Sequence, residues 1–252
     1  MSAVTFNKKG RIGYITLNRP EKLNTVNRQL AEELLDNLQE FERDDTLWVC
    51  IITGAGERSF SAGADLTDAV YIANPGEWES QYVRGLTSVT KPMIAAVNGY
   101  CLGIGLTIAL TCDLRIAAEN AYFGTPDQKL NTVDCYASLA LASIIPKALA
   151  MEILFTGEMI NATEAYRVGL VNKVVPLNNL ISEANLFAEK ILQNGPLALR
   201  ACKKLVNRSR ALSLEDGLLL FESLAAGVLA SEDTREGITA FLEKRLPSWK
   251  GR

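Results

Sequence analysis

The stretch Asn98-Gly-Tyr-Cys-Leu-Gly-Ile-Gly-Leu-Thr-Ile-Ala-Leu110 has the residue types of a backbone-donor site. The apolar run Met93-Ile-Ala-Ala-Val97 before it reads as a buried strand, Asn98-Gly99 as a turn, and Leu106 to Leu110 as a helix. Strand, glycine-rich loop and helix in that order place bare N–H groups at a helix N-terminus, where an anion or oxyanion is favoured. A dinucleotide fingerprint needs a glycine three residues after the second one, and position 108 is Ile108. A phosphate-binding P-loop needs Gly-Lys-Ser/Thr, and Gly105 is followed by Leu106. An oxyanion hole, in which a backbone N–H is held against a carbonyl that becomes negative, fits the loop. So does a tight turn whose glycines only let helix and sheet approach closely.

The 252 residues contain no histidine, which removes the Ser-His-Asp triad, the Cys-His pair and HExxH zinc sites together. Acid–base chemistry must then use carboxylates, Tyr, Lys, Cys or water. Cys50, Cys101, Cys112, Cys135 and Cys202 fall mostly in apolar segments without CxxC or ligand spacing. They read as buried thiols of a reducing compartment, and the expectation is a cytoplasmic protein. A net charge of −3 weighs against nucleic acid as a partner. No apolar run reaches membrane-spanning length, and Lys8, Lys9 and Arg11 lead into a short strand rather than a secretory signal.

The elements that must position the loop follow from pattern. Val4-Thr-Phe6 and Ile12 to Leu17 read as strands joined at Lys9-Gly10, and Asn27 to about Arg43 as an amphipathic helix carrying Leu30, Leu34, Leu35 and Leu38. Val49 to Thr53 is a buried strand, 55–61 a loop, and 65–89 helical with a break near Asn74-Pro75-Gly76. Leu114 to Ala118 is a strand; 137–155 is helical with a break near Pro146. Asn161-Ala-Thr-Glu164 has the form of a capping box, Leu170 to Val175 is the last strand, and Leu180 to Gln193 is helical. Beyond Gly195-Pro196 only helices are expected, broken near Leu212-Ser213. The pattern is an α/β body over 1–195 and a helical region over 196–252. Leu218, Leu219, Phe221, Leu224, Val228 and Leu229 are too many for a solvated appendage, so they pack on the body or on another subunit.

Two glycine-containing turns after buried strands, Phe60-Ser-Ala-Gly-Ala-Asp-Leu66 and Asn98-Gly-Tyr-Cys-Leu-Gly-Ile-Gly105, resemble in order and separation the crotonase (enoyl-CoA hydratase/isomerase) superfamily. Ile15-Thr-Leu-Asn-Arg-Pro-Glu-Lys-Leu-Asn24, Lys91 to Gly99, Cys112-Asp-Leu-Arg-Ile-Ala117 and Arg235 to Arg245 extend the resemblance over essentially the whole chain. It implies an α/β fold, a spiral of ββα units, with a C-terminal helical region that forms a homotrimer or homohexamer. It implies an acyl-CoA thioester as substrate, with coenzyme A entering as part of that substrate and no permanently bound cofactor or metal. The implied oxyanion donors are the N–H groups of Ala64 and of Ile104, the latter in place of a more usual glycine. Lys22 and Leu23 would lie along the CoA, the carbonyl of Ala62 would meet the adenine amine, and Ala64, Asp65 and Leu66 would continue the cofactor-binding turn. Phe241 and Lys244 would approach CoA from a neighbouring subunit.

The sequence departs from the family pattern at the acid–base positions. Thr107 stands where hydratases carry a first glutamate, and a hydroxyl there can hold a water or satisfy itself on the helix backbone. Phe123-Gly-Thr-Pro126 is followed by Asp127 where a second glutamate is usual, a carboxylate set back by one C–C bond, ~1.5 Å. Asp134 lies seven residues later, near where related isomerases and dehalogenases place an essential acid. Asp127 also fits a turn acid and Asp134 a helix N-cap. The expectation is Asp134 as acid–base, with Asp127 close behind. The implied activity is enolate chemistry on an acyl-CoA: enoyl-CoA hydration or double-bond isomerisation. The alternatives are an acyl-CoA hydrolase, a C–C bond enzyme, or a weakly active CoA-ester or RNA-binding scaffold using Arg200, Lys203, Lys204, Arg208 and Arg210. Residues 67–90 and 128–145 should wall the acyl pocket.

Overall fold

Each of three successive strand–strand–helix units in the computed structural model, which describes residues 2–68, 75–209 and 211–252, sends its two strands to different sheets. A hairpin of β1 (Val4–Lys9) and β2 (Ile12–Leu17) and the helix α1 (Arg28–Arg43) come first. The units are β3 (Val49–Gly54), β4 (Ser59–Ser61) and α2 (Pro75–Thr87); β5 (Met93–Val97), β6 (Tyr100–Leu102) and α3 (Ile104–Thr111); and β7 (Leu114–Ala118), β8 (Tyr122–Gly124) and α4 (Cys135–Ile144). Then follow α5 (Lys147–Thr156), β9 (Ile160–Asn161), α6 (Ala162–Arg167), β10 (Lys173–Val175) and α7 (Leu180–Leu192). The larger sheet runs β1-β2-β3-β5-β7-β10 and the smaller β4-β6-β8-β9. This alternation is the ββα spiral that the resemblance implies.

The central strands β3 and β5 of the large sheet are covered on both faces, which is why they read as nearly continuous apolar runs. Alternate side chains go to opposite faces. Cys50, Ile52, Met93, Ala95 and Val97 meet Leu30, Leu34, Leu38 and Phe41 of α1 and Ile104 and Leu106 of α3 in one core. Val49, Ile51, Ile94, Ala96 and Ile116 meet Leu180, Ala184 and Ala188 of α7 in the other.

The structure corrects several local expectations. The loop expected over 55–61 contains β4, the glycine-rich stretch contains β6, and β8 was not expected at all. Each has three residues, too few for an alternation to register, and each is held by its neighbours in the small sheet. Residues 65–68 form a turn rather than a helix start, the rest of the first expected helical stretch (69–74) lies outside the described residues, and α2 begins at Pro75. The last strand starts at Lys173 because the N–H groups of Leu170 and Val171 are taken by the Ala165 carbonyl, closing the end of α6. Asn161 does cap α6, accepting from the N–H of Glu164.

Beyond Gly195 come α8 (Pro196–Arg208), α9 (Leu214–Leu229) and α10 (Glu232–Leu242), with a second break where Ser231 caps α10. Helix α9 buries none of its residues in the single chain. The chain end nevertheless returns to the body. Asp233 accepts from the N–H groups of Lys250 and Gly251, and the Arg11 guanidinium lies 3.4 Å over the Trp48 ring while donating to the Trp249 carbonyl.

Where α3 starts, its backbone presses on β4: a Cβ on Gly105 would run into the Ser61 carbonyl oxygen. Gly105→Ala must therefore push two backbones apart, costing ~1–3 kcal/mol as overpacking does. The expected result is a melting temperature lowered by several degrees. Unchanged melting would mean that the two turns are not in this contact.

Candidate active site

The two turns form because each is threaded by its neighbours. The N–H of Val26 donates to the Gly63 carbonyl (2.8 Å) and the N–H of Asp65 to the Val26 carbonyl (2.9 Å), so Val26 and Ala64 make a parallel bridge. Residues 63 and 65 bond to one side, so the N–H of Ala64 points to the other, where it meets no acceptor among the described residues. Ile104 is the first residue of α3, and the first helical bond runs from the N–H of Thr107 to the Gly103 carbonyl at 3.0 Å. The N–H of Ile104 is thus one of the helix's unsatisfied donors. Gly103 carries the left-handed turn (φ 47°), so Ile104 needs no unusual backbone angle to stand where a glycine is more usual. A Cβ on Gly63 would lie 3.4 Å from the Leu102 carbonyl oxygen, so the two turns abut.

Asp134 caps α4: its Oδ1 accepts from the N–H of Ala137 (2.7 Å) and the hydroxyl of Thr107 (2.8 Å), and the residue is 2% exposed. Its Oδ2 is buried without a hydrogen-bond partner. Burial pushes its pKa up to about 6, against the two hydrogen bonds and with the Asp127 charge adding to the rise. Asp127 follows Pro126 in a short 3-10 turn, and its Oδ2 lies 3.0 Å from where a Gly103 Cβ would sit, beside the Ile104 donor. That oxygen is also buried and unpartnered, and burial raises the Asp127 pKa.

A third carboxyl, which sequence reasoning missed, faces the same place. Glu79 on α2 is 5% exposed, and its Oε1 accepts from the N–H of Cys135 at 2.7 Å. Burial pushes its pKa up to about 7, with Asp134 and Asp127 adding to the rise. The signal was its register: Glu79, Tyr82, Val83 and Leu86 recur at i, i+3, i+4 and i+7, so the acid occupies the buried stripe of the helix. Among the described residues no three His, Cys, Asp or Glu side chains are grouped to hold a metal ion.

Ala64, Ile104, Asp127 and Asp134 thus come together, with Thr107 as the hydroxyl that orients Asp134. Lys22 is exposed in a 3-10 turn, and the Leu23 carbonyl accepts from the N–H of Ala62 (3.0 Å), which ties the first loop to the second. The Asp65 carboxylate pairs with Arg19 at 2.9 Å and accepts from the Thr67 hydroxyl, bonds that hold its pKa below the usual carboxylate range. Leu66 is exposed. Phe241, in the last turn of α10, and Lys244, just beyond it, are exposed and make no hydrogen bond with the other candidate site residues among the described residues. Of the expected acyl-pocket walls, 69–74 lie outside the described residues, as does Arg210 of the basic patch.

The sequence model of the enoyl-CoA hydratase/isomerase family matches residues 7–252. The chain belongs to this family. A short-chain-enoyl-CoA hydratase of Clostridium acetobutylicum is 38% identical, covering 97% of this chain and 96% of that protein. A Dictyostelium discoideum protein named "Probable enoyl-CoA hydratase, mitochondrial" is 40% identical over 97% of this chain and 90% of its own. The crystal structure of an enoyl-CoA hydratase from Mycobacterium tuberculosis superposes with a TM-score of 0.91 at 36% identity, covering all of both chains. Family membership makes the protein an enzyme with the crotonase fold.

A buried carboxyl with a raised pKa costs stability wherever it is ionised in the folded chain. Asp134 stabilises the folded state relatively below its ordinary pKa of 3.8, and that contribution is lost as pH rises through about 6. Asn keeps the cap and removes the charge. Asp134→Asn is expected to raise stability at pH 8 by on the order of 2–3 kcal/mol, the gain shrinking as pH falls toward 4. Denaturant melts at the two pH values check this; a variant destabilised at pH 8 would contradict it.

Proposed function

We propose that the enzyme is an enoyl-CoA hydratase whose oxyanion hole is the N–H pair of Ala64 and Ile104. The observation that carries this reading is the pairing of two acceptor-less backbone donors with buried, unpartnered carboxylate oxygens. A conjugated thioester that adds water at Cβ moves negative charge onto its carbonyl oxygen. Two fixed N–H groups stabilise that oxygen, each by ~3 kcal/mol where such donors have been removed. Asp134 is the acid–base residue in this reading: its Oδ1 is held by two donors, which aims Oδ2, and its raised pKa lies near working pH. Ionised Asp134 takes a proton from water as the oxygen bonds to Cβ, and a carboxylic acid then protonates Cα. Asp127, against Gly103, is the second candidate. A single carboxylate would also serve a 1,3-proton shift, so double-bond isomerisation is the second reading.

Lys22, Leu23, Ala62, Asp65 and Leu66 would line the CoA chain. The Ala62 carbonyl, which accepts no hydrogen bond among the described residues, is available for the adenine amine. Asp65 would act there by holding its turn, since its carboxylate is engaged by Arg19. We further propose a homotrimer or homohexamer built through 196–252. Leu214, Leu218, Leu219, Phe221 and Leu229 of α9 are exposed in the single chain, as are Phe241 and Leu242, too much apolar surface for a monomer. Phe241 and Lys244 would then reach the CoA of a neighbouring copy. The five cysteines are free thiols, which supports a reducing compartment, for which the cytoplasm is our proposal.

Asp134→Asn should cut turnover of crotonyl-CoA by about a hundredfold or more. Acetoacetyl-CoA should still raise its melting temperature as it does that of the wild type, because the oxyanion donors are backbone. If Asp127→Asn is inactive and Asp134→Asn is not, the order of the two acids is reversed. If both turn over normally, the carboxylate mechanism is wrong. In light scattering, three or six chains per particle are expected, and a stable single chain would remove the neighbour-subunit role of Phe241 and Lys244.

A further inference from the structure

We propose that Glu79 is a second catalytic acid–base residue, the carboxylic acid that protonates Cα while Asp134 activates water. This rests on the hydratase reading above. The two carboxyls share one helix end: Glu79 takes the N–H of Cys135 and Asp134 that of Ala137, the first and third donors of α4. Donors two residues apart on one turn lie within about 5 Å, so the two acids flank the same small volume. They enter it from different elements, Glu79 from α2 and Asp134 from the α4 cap.

Addition of water needs a base and an acid at the same moment. The charged and titratable groups facing Glu79 supply both forms. From the α4 end come Asp134 and the Cys135 thiol, from the turn before it Asp127, and from its own helix Tyr82; none of the groups acting on Glu79 is a cation. Like charges at this spacing resist joint ionisation, so near neutral pH the set retains a proton. Asp134 accepts two hydrogen bonds that favour its ionised form, from the Thr107 hydroxyl and the N–H of Ala137, where Glu79 accepts one, from the N–H of Cys135, and the Glu79 pKa stands the higher, at about 7 against about 6. Glu79 therefore keeps the proton and Asp134 gives it up. In the reaction, Asp134 gains a proton from water, the remaining hydroxide oxygen bonds to Cβ, the electron pair passes to the thioester oxygen, and Cα takes the proton of Glu79. The product is the 3-hydroxyacyl thioester. The proton now on Asp134 returns to Glu79 between turnovers, so nothing further is consumed.

A structural role for Glu79, as acceptor for the Cys135 N–H, is separable from this one. Glu79→Gln keeps an acceptor oxygen and loses the proton. The experiment is the pH profile of kcat/KM for crotonyl-CoA hydration in the wild type and Glu79→Gln, with acetoacetyl-CoA affinity measured alongside. The wild type should lose activity above a pH near 7, as the acid ionises. Glu79→Gln should lose kcat by about a hundredfold or more, lose that alkaline limb, and keep KM and acetoacetyl-CoA affinity within about threefold. The proposal is overturned by a Gln variant within a few-fold of wild type, or by a slow variant with the limb intact. A wild-type profile flat from pH 6 to 9 overturns it without any variant. If the wild type turns over no enoyl-CoA, the hydratase reading itself has failed and takes this assignment with it.

Discussion

Two backbone N–H groups, those of Ala64 and Ile104, are held without acceptors where two turns abut, and much of the molecule serves that arrangement. An unsatisfied buried donor costs on the order of 1–3 kcal/mol, so the chain must be prevented from relaxing to satisfy it. Buried Asn24 donates to the carbonyls of Ala55 and Ser59, and buried Asn98 bonds both polar groups of Gly54 and the Gly56 carbonyl. The Arg19–Asp65 pair ties the loop before α1 to the turn that carries Ala64. At the other end of α3, the buried Arg115 guanidinium donates to the carbonyls of Cys112 and Leu170. The ββα alternation delivers the turns in register, because β4 and β6 pair in the small sheet while β3 and β5 pair in the large one.

The second constraint is electrostatic. Buried Glu79 and Asp134 and half-buried Asp127 lie near one another without a cation among the groups that shift them, and all three have raised pKa values. A chain selected only for stability would replace such groups by apolar or neutral ones. Retaining them sets stability against proton-transfer capacity, a compromise common at active sites. Thr107 moderates the cost for Asp134 by donating to its ionised form. It thus contributes to the site as a hydroxyl where a carboxylate would have added a fourth acidic group.

What was legible in the sequence was whatever long patterns or local capping could carry. Asn27 and Asn161 cap their helices as their residue types suggest, and the apolar runs of β3, β5 and β7 are the centre of the large sheet. The family resemblance supplied the pairing of the two turns, which no local pattern contains. The three-residue strands β4, β6 and β8 were not legible, because their pairing is decided by partners distant in the chain. For Asp134 a helix cap and an acid–base group stood as alternatives; the cap exists and occupies Oδ1 alone, leaving Oδ2 unpartnered. In the sequence Glu79 stands two residues after Glu77, an ordinary first-turn acid, and nothing local sets it apart as a site residue. Its burial depends on α4, fifty-six residues on, offering it the Cys135 N–H.

The central claim is that the backbone donors of Ala64 and Ile104 polarise the thioester carbonyl. Infrared difference spectroscopy of a crotonyl-CoA isotopically labelled at that carbonyl, bound to the Asp134→Asn variant so that turnover is slow, addresses it directly. The account predicts a carbonyl stretch shifted to lower frequency than in water, since two fixed, preorganised N–H groups draw more charge onto the oxygen than mobile water does. A band at the solution frequency, with the ligand demonstrably bound, would contradict the account.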